Sequence, residues 1–211
     1  IQAGMNVARL NFSHGDYPEH KMIIDRVREL QEELGVPVAI LADLQGPRIR
    51  TLVEQEIPFV AGQELILGGP TTKNKDFTFD HAGVVAAIAE GDRVLVEDGL
   101  YVFRAVKKGR GNIVVQAETS GILKLRKGVI LPDSDLNLDV LSEKDQKDLA
   151  FAVNEGVDYI GLSFVGSAAD VERVRNFVAE HQPVRELQPD IVAKIERKTA
   201  MKHLKSIVQA A

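Results

Sequence analysis

The sequence has no cysteine among its 211 residues. That absence excludes disulfide bridges, thiolate metal sites and cysteine nucleophiles, and it agrees with a cytoplasmic location. No apolar run approaches the roughly 20 residues that a membrane-spanning helix needs. The net charge of −5 argues against a polyanionic partner, since binding to a phosphate backbone requires a basic face. We therefore expect neither nucleic acid nor a membrane as the partner.

Common nucleotide and zinc motifs are also missing. The sequence contains no G-x-x-x-x-G-K-[ST] loop and no G-x-G-x-x-G after a predicted strand, and its five histidines do not form an H-E-x-x-H pattern. A bound nucleotide would therefore be held by side chains and strand ends rather than by a glycine-rich loop.

The sequence does contain three polar clusters, each following an apolar, β-branched stretch. They are R-L-N-F-S-H-G (9–15), D-L-Q-G-P-R-I-R-T (43–51) and A-K-I-E (193–196). The carboxyl ends of parallel strands are where β/α enzymes place their chemistry. Because the clusters combine arginine and lysine with carboxylates, they suit a phosphorylated substrate and a divalent metal.

The order of predicted elements favours an α/β fold interrupted by a small all-β domain. Residues 1–51 predict strand, helix and strand, with a D-x-x-E capping box at Asp16 and a helical face of Ile23, Val27, Leu30 and Leu34. Residues 52–132 predict short strands at 63–67, 77–79, 93–96, 100–106 and 112–118, separated by glycine-containing turns. The α/β pattern returns over 133–211, where S-E-K-D (142–145) predicts a second helix cap at Ser142. The simplest architecture is a partial (β/α)8 TIM barrel, with a small all-β barrel domain inserted over 52–132.

Lys194 and Glu196 lie two residues apart in a predicted strand, so their side chains point to the same side. One interpretation is a surface ion pair of little energetic value. We favour a functional role, because the surrounding apolar residues indicate a central strand whose buried charges need a ligand, a metal or a partner.

Arg9, Asn11 and Ser13 also alternate and could face one pocket. Arginine is suited to bidentate phosphate contact. Arg9 could equally pair with Asp43 on the adjacent strand. The two interpretations are compatible, since a paired arginine is a rigid phosphate donor.

Basic residues flank the predicted insertion at both ends. Arg48 and Arg50 precede it, and Lys124, Arg126 and Lys127 lie near its end. Such runs are usually solvated. Because basic residues lie at both linkers of the inserted domain, we also consider that this domain closes over an anionic ligand.

Taken in order, R-L-N-F-S-H-G, D-L-Q-G-P-R-I-R-T, L-S-E-K-D, S-F-V and A-K-I-E resemble the pyruvate kinase family over essentially the whole sequence. The resemblance implies the second to fifth strands of the barrel domain A plus the β-barrel domain B. It also implies phosphoryl transfer from phosphoenolpyruvate to ADP, giving pyruvate and ATP in glycolysis, with Mg²⁺ (or Mn²⁺) as the cofactor. The full-length protein would be a homotetramer.

The resemblance also implies roles for individual residues. Arg9 would contact the substrate phosphate, Lys194 would stabilise the phosphoryl group and the enolate, and Glu196 would be one of two carboxylate ligands of the divalent metal. The monovalent-cation site would comprise Asn11, Ser13, Asp43 and the Leu44 carbonyl. The nucleotide side would comprise Asn11, His14, Arg50, Asp98 and Lys127.

The second cluster departs from the common family form D-T-K-G-P-E-I-R-T. Leu44 and Gln45 replace threonine and lysine, and Arg48 replaces the acidic residue that accompanies K⁺ dependence in the family. We hypothesise that the Arg48 guanidinium supplies the charge of K⁺, so that K⁺ is not required. The family's S-F-x-R-K is S-F-V-G-S here (163–167), which removes two basic side chains.

The family's second metal carboxylate, in a G-D-L-G motif, does not occur in this sequence. We therefore expect an internal fragment of a longer protein that is inactive and not stably folded alone. An alternative function is a non-catalytic relative that binds a phosphorylated metabolite for regulation. The presence of Arg9, Lys194 and Glu196 together favours the enzyme.

Overall fold

The computed structural model describes residues 1–81, 83–134, 136, 138–181 and 188–211. The chain forms two compact units. Unit 1 comprises Ile1–Pro47 and Asp139–Ala211, and unit 2 comprises Arg48–Leu138. The domain division expected from the sequence, with boundaries after residues 51 and 132, stays a prediction.

In chain order, the helices and strands are β1 (Val7–Asn11), α1 (Tyr17–Leu34), β2 (Ala39–Asp43), β3 (Ile49–Leu52), β4 (Ile57–Phe59), β5 (Glu64–Gly68), β6 (Thr78–Phe79), α2 (Val84–Ala87), β7 (Arg93–Val96), β8 (Tyr101–Lys108), β9 (Asn112–Ala117), β10 (Gly121–Leu123), β11 (Gly128–Ile130), α3 (Glu143–Asn154), β12 (Tyr159–Leu162), α4 (Ala168–His181), β13 (Asp190–Ala193) and α5 (Leu204–Ala210). A 3₁₀ helix over Lys198–His203 precedes α5.

Unit 1 is built on a parallel sheet with the strand order β1-β2-β12-β13. The register pairs Asn11 with Asp43, and Asp43 with Gly161. Leu162 pairs with Ala193. The prediction of a central strand for Lys194 and Glu196 is therefore wrong for the described sheet, because β13 is an edge strand and ends at Ala193, before both residues. Since all four strands run in the same direction, their carboxyl ends lie at one edge of the sheet, where the three polar clusters of the sequence begin or end.

Two helices of unit 1 begin at capping boxes that the sequence predicted. Asp16 caps α1 together with Glu19, and Ser142 caps α3 together with Asp145. Each cap satisfies backbone N–H groups that a helix start leaves without partners. The helices pack on the sheet through fully buried aliphatic side chains, among them Ile24, Ile40, Leu149, Ile160 and Val174.

Unit 2 contains a seven-stranded antiparallel sheet with the order β5-β9-β8-β7-β11-β3-β6. The two ends of this order meet, because Leu67 of β5 bridges to Phe77 and the Gly68 N–H donates to the Phe77 carbonyl at 3.0 Å. The sheet is therefore nearly closed around Phe77, Phe79 and Phe103. Strands β4 and β10 form a separate antiparallel pair.

The molecule is thus mixed α/β, with a parallel sheet in one unit and an antiparallel sheet in the other. None of the helices in the described ranges is long and apolar enough to cross a membrane.

Candidate active site

A buried carboxylate, Asp43, lies at the centre of the polar strand ends in unit 1. Its side chain is 5% exposed. The Arg9 Nε donates to Asp43 Oδ2 at 2.7 Å, and the Lys194 Nζ lies 2.7 Å from Asp43 Oδ1. A buried charge is tolerated only when it is paired, and here each oxygen has its own cation. The predicted pairing of Arg9 with Asp43 is therefore present, together with a second pairing to Lys194.

The two cations differ in exposure. The Arg9 side chain is 57% exposed and the Lys194 side chain 28% exposed, although both are anchored to Asp43. The Arg9 guanidinium can therefore meet an anion from solvent while Asp43 fixes its direction. An arginine held in this way has already lost part of its rotamer freedom, which favours binding.

Gly161 makes room for the Asp43 carboxylate. A Cβ at position 161 would lie 3.2 Å from Asp43 Oδ1 and 3.3 Å from its Cα, which is tighter than ordinary contact. This residue was not among those predicted from the sequence. The sequence feature that could have indicated it is a glycine inside an apolar strand, because such a glycine often marks the close approach of another chain segment.

Glu196 is held at the margin of the same group. Its Oε1 lies 3.7 Å from the Lys194 Nζ, and its Oε2 accepts a hydrogen bond from the Phe164 N–H at 2.9 Å. Phe164 adopts the left-handed conformation with φ 57°, and the Arg197 guanidinium lies 5.8 Å from its ring centroid. The geometry of the Phe164 turn therefore directs a backbone donor at Glu196.

Glu196 also has the chemistry of a divalent-metal ligand. Mg²⁺ is commonly bound by one or two carboxylates together with substrate oxygens and water. In the described ranges, no group of three or more histidine, aspartate or glutamate side chains is placed to hold a metal ion. Glu196 can therefore supply one ligand of such a metal, and further ligands would come from a second carboxylate, from substrate oxygens or from water.

The first loop, residues 11–16, carries three of the predicted site residues on a tight turn. Asn11 accepts from the Ser13 N–H through Oδ1 at 3.0 Å and from the His14 N–H through its carbonyl at 3.2 Å. The Phe12 N–H donates to the Asp43 carbonyl at 3.0 Å. These bonds place Asn11, Ser13 and His14 directly beside the end of β2.

The second loop, residues 43–47, is held by two residues whose role was not predicted from the sequence. The Ser163 hydroxyl donates to the Leu44 carbonyl at 2.7 Å, and Asp145 accepts from the Gly46 N–H at 3.0 Å. Both side chains are buried. Ser163 lies within the S-F-V motif and Asp145 within S-E-K-D, which indicated only a helix cap.

Ligand oxygens predicted to bind a monovalent cation already have partners within unit 1. Both Asp43 oxygens face cations, the Leu44 carbonyl accepts from Ser163, and the Asn11 Oδ1 accepts from the Ser13 N–H. The carbonyl retains a second lone pair. Three of the four predicted ligand residues, Asn11, Asp43 and Leu44, therefore have partners within unit 1.

The remaining predicted site residues lie in unit 2. Arg50 is paired with Gly128 in the β3–β11 register, and its Nη1 donates to the Arg126 carbonyl at 3.2 Å. The Lys127 Nζ lies 3.3 Å from a carboxylate oxygen of Glu97. Asp98, the neighbour of Glu97, has φ 55° in the turn between β7 and β8. Unit 2 therefore brings Arg50, Lys127 and the Asp98 turn into one region.

Comparison with known proteins identifies the family. A family model described as "Pyruvate kinase, barrel domain" matches residues 1–211. The chain belongs to the pyruvate kinase family. The resemblance seen in the sequence motifs is thereby confirmed.

Curated pyruvate kinases and a solved structure are similar to the whole of this chain. The pyruvate kinase of Geobacillus stearothermophilus is 37% identical over 221 residues, covering 100% of this chain and 36% of the relative. That of Corynebacterium efficiens is 39% identical over 217 residues, covering 100% and 44%. A crystal structure of a pyruvate kinase from Cryptosporidium parvum matches with a TM-score of 0.90 at 30% identity, covering 100% of this chain and 45% of that chain. The chain thus spans less than half the length of each of these pyruvate kinases.

Proposed function

We propose that the full-length protein transfers the phosphoryl group of phosphoenolpyruvate to ADP, giving pyruvate and ATP, as a cytoplasmic enzyme of glycolysis. The observation that carries this proposal is the pairing of two cations, Arg9 and Lys194, on the buried carboxylate of Asp43. Family membership supports the same reaction. Such a group suits an anionic substrate whose charge moves during the reaction.

Arg9 and Lys194 take different parts in this reaction. The exposed Arg9 guanidinium binds the phosphate of the substrate through paired N–H donors. The more enclosed Lys194 ammonium neutralises charge on the phosphoryl group as it moves from the enol oxygen to the ADP oxygen, and then on the enolate that remains. A proton added to the enolate carbon gives pyruvate. No protein nucleophile is needed, because positioning and charge neutralisation lower the barrier.

Glu196 is proposed as one of two carboxylate ligands of the divalent metal, Mg²⁺ or Mn²⁺. The bound metal supplies positive charge to the transferring phosphoryl group. Phe164 keeps the Glu196 carboxylate in place through its backbone N–H. By resemblance to the family, the proposed ligands of the monovalent cation are Asn11, Ser13, Asp43 and the Leu44 carbonyl. We propose separately that the Arg48 guanidinium removes the need for K⁺. The residues proposed by the same resemblance to contact the nucleotide are Asn11, His14, Arg50, Asp98 and Lys127.

The proposed architecture follows from the same family membership. We propose that the four parallel strands and their helices form part of a (β/α)8 TIM barrel, interrupted by a β-barrel domain over 52–132. The proposed domain A segments are 1–51 and 133–211. The proposed full-length assembly is a homotetramer.

The test is release of pyruvate from phosphoenolpyruvate and ADP by the full-length protein with Mg²⁺. Lys194→Met should lower kcat by about 10²- to 10³-fold, the usual effect of removing one group that stabilises transition-state charge. Lys198→Met is the matched control, because Lys198 is an exposed lysine four positions along the chain, and it should retain wild-type turnover. Tight binding of phosphoenolpyruvate without any pyruvate release would support the regulatory relative instead.

A further inference from the structure

The ammonium group of Lys144 connects helix α3 to the first loop of the candidate site. Its Nζ donates to the Phe12 carbonyl at 2.6 Å and to Asp148 Oδ2 at 2.6 Å. Phe12 is the central residue of the turn that carries Asn11, Ser13 and His14. Lys144 therefore bonds to the backbone in the middle of this turn.

Asp148 extends the connection to the far end of the loop. It is 1% exposed, and its Oδ1 accepts from the Tyr17 hydroxyl at 3.0 Å. Tyr17 is the first residue of α1, and its ring stacks on Phe151 with centroids 4.6 Å apart. We call the side chains of Lys144, Asp148 and Tyr17 the loop clamp. The clamp fixes Phe12 at one end and Tyr17 at the other, with residues 13–16 between them.

The other contacts of Phe12 show what the clamp adds. The Phe12 N–H is held by the Asp43 carbonyl, and its ring is buried against His20 with centroids 4.3 Å apart. His20 in turn contacts the His14 carbonyl through Nε2 at 3.1 Å. The Phe12 carbonyl is left for Lys144. With that bond made, the peptide plane between Phe12 and Ser13 is fixed at its carbonyl, which sets the direction of the next N–H groups.

We propose that Lys144 is a positioning residue that fixes residues 12–16 for substrate binding through the loop clamp. This inference rests on the proposed function for its kinetic consequence, whereas its structural consequence is independent of that function. Sites whose supporting groups hold them rigidly bind and react better than sites free to move. Lys144 touches no reacting group and acts through the Phe12 carbonyl.

A purely structural interpretation of Lys144 makes a different prediction. A lysine and an aspartate four residues apart on one helix stabilise it by about 0.2–0.5 kcal/mol and affect nothing else. Lys21 forms such a pair with Asp25 on α1 and also contacts Glu155. No hydrogen bond of Lys21 reaches the first loop in the described residues. Lys21→Met is therefore the matched control for Lys144→Met.

The first measurement is amide hydrogen exchange in the full-length protein. Lys144→Met should speed exchange at Ser13 and His14 by about tenfold, since a hydrogen bond to a charged group contributes on the order of a tenfold equilibrium change. Lys21→Met should leave these amides at the wild-type rate. Lys144→Arg, which can still donate to both oxygens, should restore most of the protection. Unchanged exchange in Lys144→Met would overturn the clamp.

The second measurement links the clamp to binding. In Lys144→Met, KM for phosphoenolpyruvate should rise about tenfold, with Lys21→Met unchanged and Lys144→Arg close to wild type. Faster exchange with an unchanged KM would overturn the positioning role. If the wild-type protein transfers no phosphoryl group, the proposed function fails, and the exchange comparison alone decides whether the clamp exists.

Discussion

At the scale of single residues, Asp43 determines the electrostatics of the candidate site. Its buried carboxylate faces Arg9 and Lys194 on separate oxygens. Removing the carboxylate would leave two cations close together, and removing either cation would leave a buried oxygen without its partner. Because the Arg9 side chain is 57% exposed and the Lys194 side chain 28% exposed, breaking either pair costs less than the roughly 3–5 kcal/mol of a fully buried pair. The sequence allowed the Arg9–Asp43 pairing to be predicted, because the two residues lie near the carboxyl ends of adjacent strands.

Arg48 carries a prediction about monovalent cations. If its guanidinium replaces K⁺, the full-length protein should be fully active in buffer free of K⁺ and Na⁺. Arg48→Glu should then lose about tenfold or more of its kcat without K⁺, the usual size of a lost charge-assisted contact, and recover on addition of K⁺.

The control for Arg48→Glu is Arg48→Lys, which keeps the positive charge and should remain independent of K⁺. The comparison is made by measuring pyruvate release with and without added KCl at constant ionic strength. A wild-type protein that turns over only with K⁺ would show that the Arg48 hypothesis is wrong.

Tyr17 predicts a pH dependence. Burial, together with the hydrogen bond and the negative charge of Asp148, raises the pKa of Tyr17 from 10.0 to about 12. The neutral phenol is therefore favoured in the folded state. The pKa of this phenol in the unfolded chain is 10.0, so the stabilisation of the folded state is fully present below pH 10. It is lost as the pH rises through the folded-state pKa of about 12.

The measurement for Tyr17 is a tyrosinate absorbance titration of the wild-type protein and of Tyr17→Phe. The difference between the two curves should show one phenol that titrates near pH 12. A difference curve centred at the ordinary tyrosine pKa would contradict the contact with Asp148.

At the scale of elements, loops after strands hold the site, and their geometry was only partly predictable. Both capping boxes and the carboxyl-end position of the clusters were predictable from the sequence, because they depend on local patterns. The partner of Lys194 was not, because it depends on the register of β13 against its neighbours. The short strands β3, β4, β10 and β11, each three or four residues long, were likewise missed.

The buried face of α1 shows the same limit. The sequence pattern grouped Ile23 and Leu34 with Val27, but Ile23 and Leu34 are each 41% exposed. The buried residues of the helix are His20, Ile24 and Val27. A helical period defines a stripe of apolar residues, whereas packing against the sheet decides which neighbouring stripe is buried. His20 is buried because its ring stacks on Phe12 of the first loop.

Gly46 provides a test of the second loop. Its φ is 70°, and a Cβ there would lie 2.8 Å from the Ser163 Cβ and 3.0 Å from the Phe164 Cδ2. Gly46→Ala should therefore lower the free energy of unfolding by about 3 kcal/mol, combining left-handed strain with overpacking. It should also displace the turn that supports Glu196.

The control for Gly46→Ala is Gly35→Ala. Gly35 has φ 63°, and no atom lies within 4 Å of the position that an added Cβ would take, so only the backbone strain of about 1 kcal/mol applies. Thermal unfolding of the two full-length variants should rank Gly46→Ala clearly below Gly35→Ala. Equal midpoints would contradict the close packing of the second loop against Ser163.

At the scale of the whole molecule, the parallel sheet of unit 1 has β1 and β13 as its edge strands in the described residues. Val7 on β1 is 46% exposed, and Val192 on β13 is 42% exposed. Parallel strands are normally buried on both faces, and an uncovered apolar edge favours pairing with another chain. In a polypeptide limited to residues 1–211, the outer sides of β1 and β13 would both lack a neighbouring strand.

We therefore expect a purified polypeptide of residues 1–211 to associate and to release no pyruvate from phosphoenolpyruvate and ADP. The full-length protein, measured under the same conditions, is the control and should be active. Analytical ultracentrifugation of the polypeptide should show species larger than 23.2 kDa. A monodisperse monomer with measurable phosphoryl transfer would contradict the expectation, because it would mean that the edges of the sheet need no cover and that the metal requires no carboxylate from outside residues 1–211.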